Sequence, residues 1–174
     1  MATTALIAKV PEAEAVVGAL RTRYDAAAQA GVPAHITILA PFMAPDEITL
    51  SVLRRIRHAL HAVPAFTYSL ESIGRFDATA FLAPTPAEPF VSLTASVVAE
   101  FPAFPPYGGL HSGIIPHLTV AHGDAHAAAV AATELESRLR EHPPISARCG
   151  IISLLENASG RWKEMHTFEL PARL

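Results

Sequence analysis

Short apolar runs alternate along this chain with segments whose apolar positions recur every three or four residues, the pattern of strands interleaved with helices. Thr4 to Val10 reads as a strand. Pro11 suits a first helical position, Glu12 and Glu14 favour the N-terminal end of a helix, and Arg21 and Arg23 its C-terminal end. Ala13, Val16, Val17, Leu20 and Tyr24 give that helix one buried face. After Gly31-Val32-Pro33, Ala34 to Ala40 is β-rich and is broken by Pro41. Asp46 is placed to cap a second helix reaching about Val63, with Leu53, Ile56, Leu60 and Val63 inward. Phe66 to Phe76 alternates as a strand with a slip near Ser72, and Thr79 to Pro84 returns as its hairpin partner.

The second half follows the same order. A helix starting near Pro89 buries Phe90, Leu93, Val97 and Phe101, and a Pro/Gly-rich loop runs from Pro102 to Pro116. Pro116 to Ala121 is a strand, and Asp124 caps a helix with Ala128, Ala131, Leu135 and Leu139 inward. Strands over Ile145 to Glu156 and Trp162 to Leu170 flank a turn at Asn157 to Gly160. Each half thus runs helix, proline-containing loop, His-x-Thr strand, helix, strand, strand. That order predicts an α+β fold made of a duplicated unit. It places His35 and His117 in equivalent strands, near a pseudo-two-fold axis, facing one another across a shared cleft.

On a strand, residues two apart share a face. His35 and Thr37 therefore project together, as do His117 and Thr119, while Ile36, Ile38, Leu118 and Val120 turn to the core. Two such strands bring two imidazoles and two hydroxyls to one point, which is what phosphodiester cleavage or opening of a cyclic phosphate needs. One neutral imidazole takes a proton from the attacking oxygen, and a protonated one gives a proton to the leaving oxygen. An unperturbed pKa of about 6.5 suits either task. The threonines would hydrogen-bond the non-bridging phosphate oxygens. This chemistry needs neither metal nor cofactor.

The charge and composition narrow the partner. A formal net charge of -3 is at odds with gripping a long nucleic-acid duplex, which calls for a basic surface. A small nucleotide or an RNA end fits better. The apolar stretches, such as Ala127 to Ala132, fall well short of the ~18 residues a membrane span requires. The N-terminus reads as a first strand rather than a signal peptide. With Cys149 as the lone cysteine, no intrachain disulfide forms, and a cytoplasmic location is expected.

His35-Ile36-Thr37-Ile38-Leu39-Ala40-Pro41-Phe42 and Pro116-His117-Leu118-Thr119-Val120-Ala121 resemble the paired motifs of the two-histidine (2H) phosphoesterase superfamily. The branch they resemble most is the 2′-5′ RNA ligase family, which includes 2′,3′-cyclic phosphodiesterases. The resemblance spans nearly the whole chain, including Pro105-Pro106-Tyr107-Gly108-Gly109 and the ending Trp162 to Leu170. It implies one bilobal domain over residues 1–174, a monomer, with both motifs in a central cleft, acting on a 2′,3′-cyclic phosphate or a related small phosphodiester. RNA ligation would use the same site in reverse. Some ligase-type members carry a basic residue just after the second motif, where this chain has His122-Gly123. That departure bears on ligation and long-RNA binding more than on hydrolysis. A non-catalytic nucleotide-binding module is the competing expectation. Within the hydrolytic reading, His117 is the expected base and His35 the acid.

Three further residues are candidates for substrate binding: Arg75 as a phosphate cation, and Phe42 and Tyr107 as stacking surfaces for a base. The cluster His111, His117, His122 and His126 brings zinc to mind. Odd spacing, however, sends His117 and His122 to opposite faces of a strand, and no acidic or cysteine partner stands at ligand spacing, so no metal site is expected. His58 and His61 fall with Arg54 and Arg57 on a solvated helix face.

Overall fold

The structure, a computed structural model, describes residues 1–174. In chain order its elements are β1 (Thr4–Lys9), α1 (Glu14–Tyr24), α2 (Ala26–Gln29), β2 (His35–Leu39), α3 (Leu50–Leu60), β3 (Phe66–Phe76), β4 (Thr79–Thr85), α4 (Glu88–Glu100), β5 (Leu118–His122), α5 (Ala125–Glu141), β6 (Ile145–Cys149), β7 (Ile151–Glu156) and β8 (Lys163–Glu169). The strands form two four-stranded sheets in the orders β2-β1-β7-β8 and β5-β4-β3-β6. Every pairing is antiparallel. The fold is α+β, as the alternating pattern predicts.

The two sheets are built alike. In each, a His-x-Thr strand lies at one edge beside the strand that precedes it in the chain, β1 for β2 and β4 for β5. The third strand is exchanged between halves: β3 follows β2 and α3 yet joins β4, and β7 follows β5 and α5 yet joins β1. The repeating unit is therefore strand, helix, motif strand, helix, exchanged strand, which shifts the unit boundary read from the sequence. A continuous apolar core draws Leu6, Ile36 and Leu154 from one sheet, Leu70, Leu82 and Val120 from the other, and Val17, Ile56, Phe90 and Leu135 from the helices. Burying such side chains is the main stabilising term, roughly 1.5–3 kcal/mol for each large one.

Some boundaries differ from expectation for identifiable reasons. The second predicted helix does not start at Asp46, which lies in a 3-10 turn, Pro45–Glu47, where the Glu47 carboxylate accepts from the Ala44 N–H at 2.9 Å. Thr49 caps α3 instead, its hydroxyl accepting from the Val52 N–H at 3.2 Å. Ile145 to Glu156 is not one strand. It breaks at Gly150 and its two pieces serve different sheets. The slip near Ser72 is present as a register shift between Leu70 and Ser72. Asp124 caps α5, accepting from His126 and Ala127. No helix is long and apolar enough to cross a membrane.

Candidate active site

The two edge strands bring the motifs together. Ile36 and Ile38 are buried in the core while His35 and Thr37 keep part of their surface open, and Leu118, Val120, His117 and Thr119 repeat that alternation. His35 is the first residue of β2; His117 stands one position ahead of β5. The backbone carrying His35 is fastened on three sides. Val10 N–H donates to the Ala34 carbonyl at 2.8 Å, Ala34 N–H donates to the Glu14 carboxylate at 2.7 Å, and Arg21 Nη1 donates to the Val32 carbonyl at 3.0 Å. Arg21 thus does more than complement the end of α1: only 2% exposed, it also pairs with Asp25 at 3.1 Å. From the far side, the Thr94 hydroxyl of α4 donates to the Ile38 carbonyl at 2.7 Å.

Both imidazoles are clamped in the same way. His35 Nδ1 lies 2.9 Å from the Pro33 carbonyl oxygen, and His117 Nδ1 lies 2.7 Å from the Ile115 carbonyl oxygen. A carbonyl only accepts, so each Nδ1 carries the proton and each Nε2 is left with its lone pair when the ring is neutral. Burial lowers the pKa of His35 to about 4, against the opposing pull of the Pro33 carbonyl. The Arg21 charge lowers it further, Asp25 raises it, and the field of His117 also reaches it. His117 is lowered as well, first by burial, with the Ile115 carbonyl opposing and His122 and His111 contributing to the fall. In the free protein both rings are therefore neutral near pH 7, and a bound anion is what would favour protonating one of them.

Tyr107, a substrate-binding candidate from the sequence, does reach the motifs. It stands at φ 52° and ψ 33°, a left-handed conformation costly for a residue with a side chain, and its N–H donates to the Ala40 carbonyl at 2.7 Å. Its ring lies along that of His117, with centroids 6.2 Å apart and planes 22° apart. Its phenol is close enough to feel the Thr37 hydroxyl, which partly offsets the upward push of burial on its pKa. Tyr107 therefore links the two motifs.

The other two candidates do not reach the cleft. Phe42 is 4% exposed and packs edge-on against Phe101 and Phe104, each at 5.1 Å, so it is a core residue and offers no face to a base. Arg75 lies on the α5 side of its sheet, bordering an open groove with Ile73, Ala129 and Glu136, with Nη2 3.5 Å from the Ala125 carbonyl. Its neighbours Gly74 and Phe76, on the opposite strand face, are the ones that look toward His117.

Residues passed over in the sequence take part instead. Phe76 stacks on Phe81 at 4.6 Å and 30°, and both rings flank His117 at 5.4 and 5.3 Å. Phe81 faces Gly74 across the ladder, and a side chain at position 74 would run into its ring. Register also sets Lys9 directly opposite His35, on the same sheet face. Its ammonium pairs with Glu164 at 2.7 Å, and Ser153 donates to the same carboxylate oxygen at 3.0 Å. The Lys9 hydrogen bond is the first cause holding the Glu164 pKa below the usual carboxylate value. Nowhere do three or more His, Cys, Asp or Glu side chains gather as a metal-ligand set.

A model of the 2′-5′ RNA ligase superfamily matches residues 9–161, which include both motifs. The chain belongs to that superfamily, whose enzymes are 2H phosphoesterases and ligases. Solved structures similar to it include E. coli LigT complexed with 3′-AMP, at 16% identity and TM-score 0.59 over 98% of each chain. A second is a phosphoesterase at 16% identity and TM-score 0.61, covering 98% of this chain and 99% of the other. A third is a protein of Thermus thermophilus, TT0787, at 15% identity and TM-score 0.54, covering 99% of this chain and 100% of the other. At these identities the likeness establishes the superfamily fold along the whole chain. No protein of curated function matches the sequence.

Proposed function

We propose that the protein hydrolyses a 2′,3′-cyclic phosphate or a related small nucleotide phosphodiester by two-histidine acid-base catalysis, without a metal ion. The observation that carries this reading is the paired clamp: two imidazoles on equivalent edge strands, each held through Nδ1–H by the carbonyl two residues upstream. A binding module needs donors alone; it has no use for two matched Nε2 lone pairs. One imidazole would take a proton from water as the water oxygen attacks phosphorus. The other would protonate the ribose oxygen as its bond to phosphorus breaks. Thr37 and Thr119 would donate to the non-bridging oxygens, where negative charge accumulates. Small-nucleotide substrates agree with the ligands named for E. coli LigT, which was solved with 3′-AMP, ATP and NADP+. Ligation would run the same proton transfers in reverse.

The division of roles turns on the bound phosphate. In the free protein His35 resists protonation more strongly than its ordinary value would suggest, which by itself suits a base. The expected assignment, His35 as acid and His117 as base, holds where the phosphate anion lies nearer to His35 and raises it more. A substrate with a 4-nitrophenyl leaving group separates the roles, because that group departs without a proton. The Asn variant of the acid keeps its rate on such a substrate and the Asn variant of the base does not.

The test of the reaction is incubation with each of the four 2′,3′-cyclic mononucleotides, with and without chelator, separating 2′- from 3′-phosphate products. Turnover that resists chelation supports the proposal and gives the regiochemistry. Saturable binding of nucleotides with no product over hours contradicts it and favours the binding module.

A further inference from the structure

The reacting phosphate is an anion, and the motif residues meet it with hydroxyls and with rings that are neutral in the free protein. Two arginines near the motifs are committed elsewhere: Arg21 is buried against Asp25 and the Val32 carbonyl, and Arg75 lies on the α5 side of its sheet. Lys9 differs. It ends β1, and it is the one basic residue that stands opposite a motif residue in either ladder, paired with His35. Ile7 and Thr37 form the next pair on that face, whereas Leu6, Ala8 and Ile36 turn to the core. The Lys9 stem therefore projects on the cleft side, its Cβ about 5 Å from that of His35, as strand pairing requires. Its ammonium reaches across β7 to Glu164 of β8 at 2.7 Å, and the Ser153 hydroxyl donates to the same carboxylate oxygen at 3.0 Å. The Lys9 side chain is 38% exposed and that of Glu164 42%, and an exposed ion pair of this kind contributes little to stability. Exchanging the carboxylate for a phosphate oxygen thus costs little.

We propose that Lys9 is the cation of the site: its ammonium leaves Glu164 and binds a non-bridging oxygen of the phosphate held at His35. This rests on the phosphodiester reading of the cleft and adds a substrate-binding residue to it. Rotation about the flexible four-carbon stem carries the ammonium from β8 back toward β2 without movement of the backbone. The phosphate gains negative charge as the attacking water gives up its proton, so the attraction grows toward the transition state. Glu164 competes with the phosphate for the same ammonium. The two residues of one ion pair therefore have opposite effects on the reaction.

The experiment measures kcat and KM for 2′,3′-cyclic AMP in the parent, Lys9→Met, Lys9→Arg and Glu164→Gln, each shown to be folded. A hydrogen bond to a charged group corresponds to a factor of about 10 to 100. Lys9→Met should lose that much in kcat/KM, through kcat as well as KM, and Lys9→Arg, which keeps the charge, should recover most of it. Glu164→Gln breaks the same ion pair but leaves the ammonium, so its kcat/KM should rise, by up to about fivefold. A loss below about fivefold in Lys9→Met overturns the proposal and leaves the proposed reaction standing. Matching losses in Lys9→Met and Glu164→Gln do the same, because the pair then only braces the sheet. Should the parent turn over none of the cyclic mononucleotides, the proposed reaction fails, and calorimetric binding of adenosine 3′-phosphate decides the role of Lys9. A Kd raised at least about fivefold in Lys9→Met and not in Glu164→Gln supports the cation, and any other pattern overturns it.

Discussion

Acidification should expose the burial of His35 directly. The ring is half-buried at the cleft, and desolvation is the first cause that takes its pKa from 6.5 to about 4, a difference of about 3 kcal/mol between the two protonation states. In the unfolded chain the imidazole returns to its ordinary value. Between pH 6.5 and about 4 the unfolded state therefore binds more protons than the folded one, and stability drops as pH falls. Above 6.5 the contribution of the neutral ring is present in full; below about 4 the ring is protonated in both states and the loss stops. Urea unfolding at pH 7 and pH 4.5 should show the parent losing about 2 kcal/mol more than His35→Asn over that interval. The ring C–H resonance of His35 in the folded protein should shift midway near pH 4. Titration at or above 6.5, or equal acid sensitivity in parent and variant, would refute the reasoning.

Other substitutions test the placement of single residues. Thr37→Val keeps shape but removes the hydroxyl, and kcat should fall about 100-fold with the melting temperature little changed; an unaltered kcat would remove Thr37 from the phosphate. Gly74→Ala drives a methyl group into the Phe81 ring, so thermal unfolding should show a loss of about 1–3 kcal/mol, and unchanged stability would contradict the packing described around His117. Arg75→Ala should leave kcat/KM within about twofold of the parent, because the side chain lies on the α5 side of the sheet. A tenfold loss would return it to the site.

The motif strands were legible in the sequence because each lies at a sheet edge with one face in the core, so His35-Ile36-Thr37-Ile38 alternates cleanly. The residues around the motifs were not. Phe42 is next to the first motif in the chain, but its N–H donates to the Thr4 carbonyl and its carbonyl accepts from the Thr3 hydroxyl. The chain therefore turns inward and carries the ring to Phe101 and Phe104. Phe76 is distant in sequence and is brought to His117 only by the β3-β4-β5 ladder, which local pattern does not reveal. Arg75 and Phe76 differ by a single position and hence by a whole sheet face. The split at Gly150 left no clean alternation to read: Ile145, Ala147 and Cys149 are buried at every second position, but β7 is buried at four successive positions from Ile152 to Leu155, on both of its faces. The Arg21–Asp25 pair carried no signal, since a helix-terminal arginine usually faces solvent.

The central claim, that His35 and His117 act as one catalytic unit, is tested most directly by the rate of 2′,3′-cyclic AMP hydrolysis in His35→Asn, His117→Asn and the double variant, each shown to be folded. The account predicts that each single change costs about 10²- to 10⁴-fold in kcat, and that the double variant falls well short of the product of the two losses, because the second proton transfer is of little use without the first. Near-parental turnover in either folded single variant would contradict it.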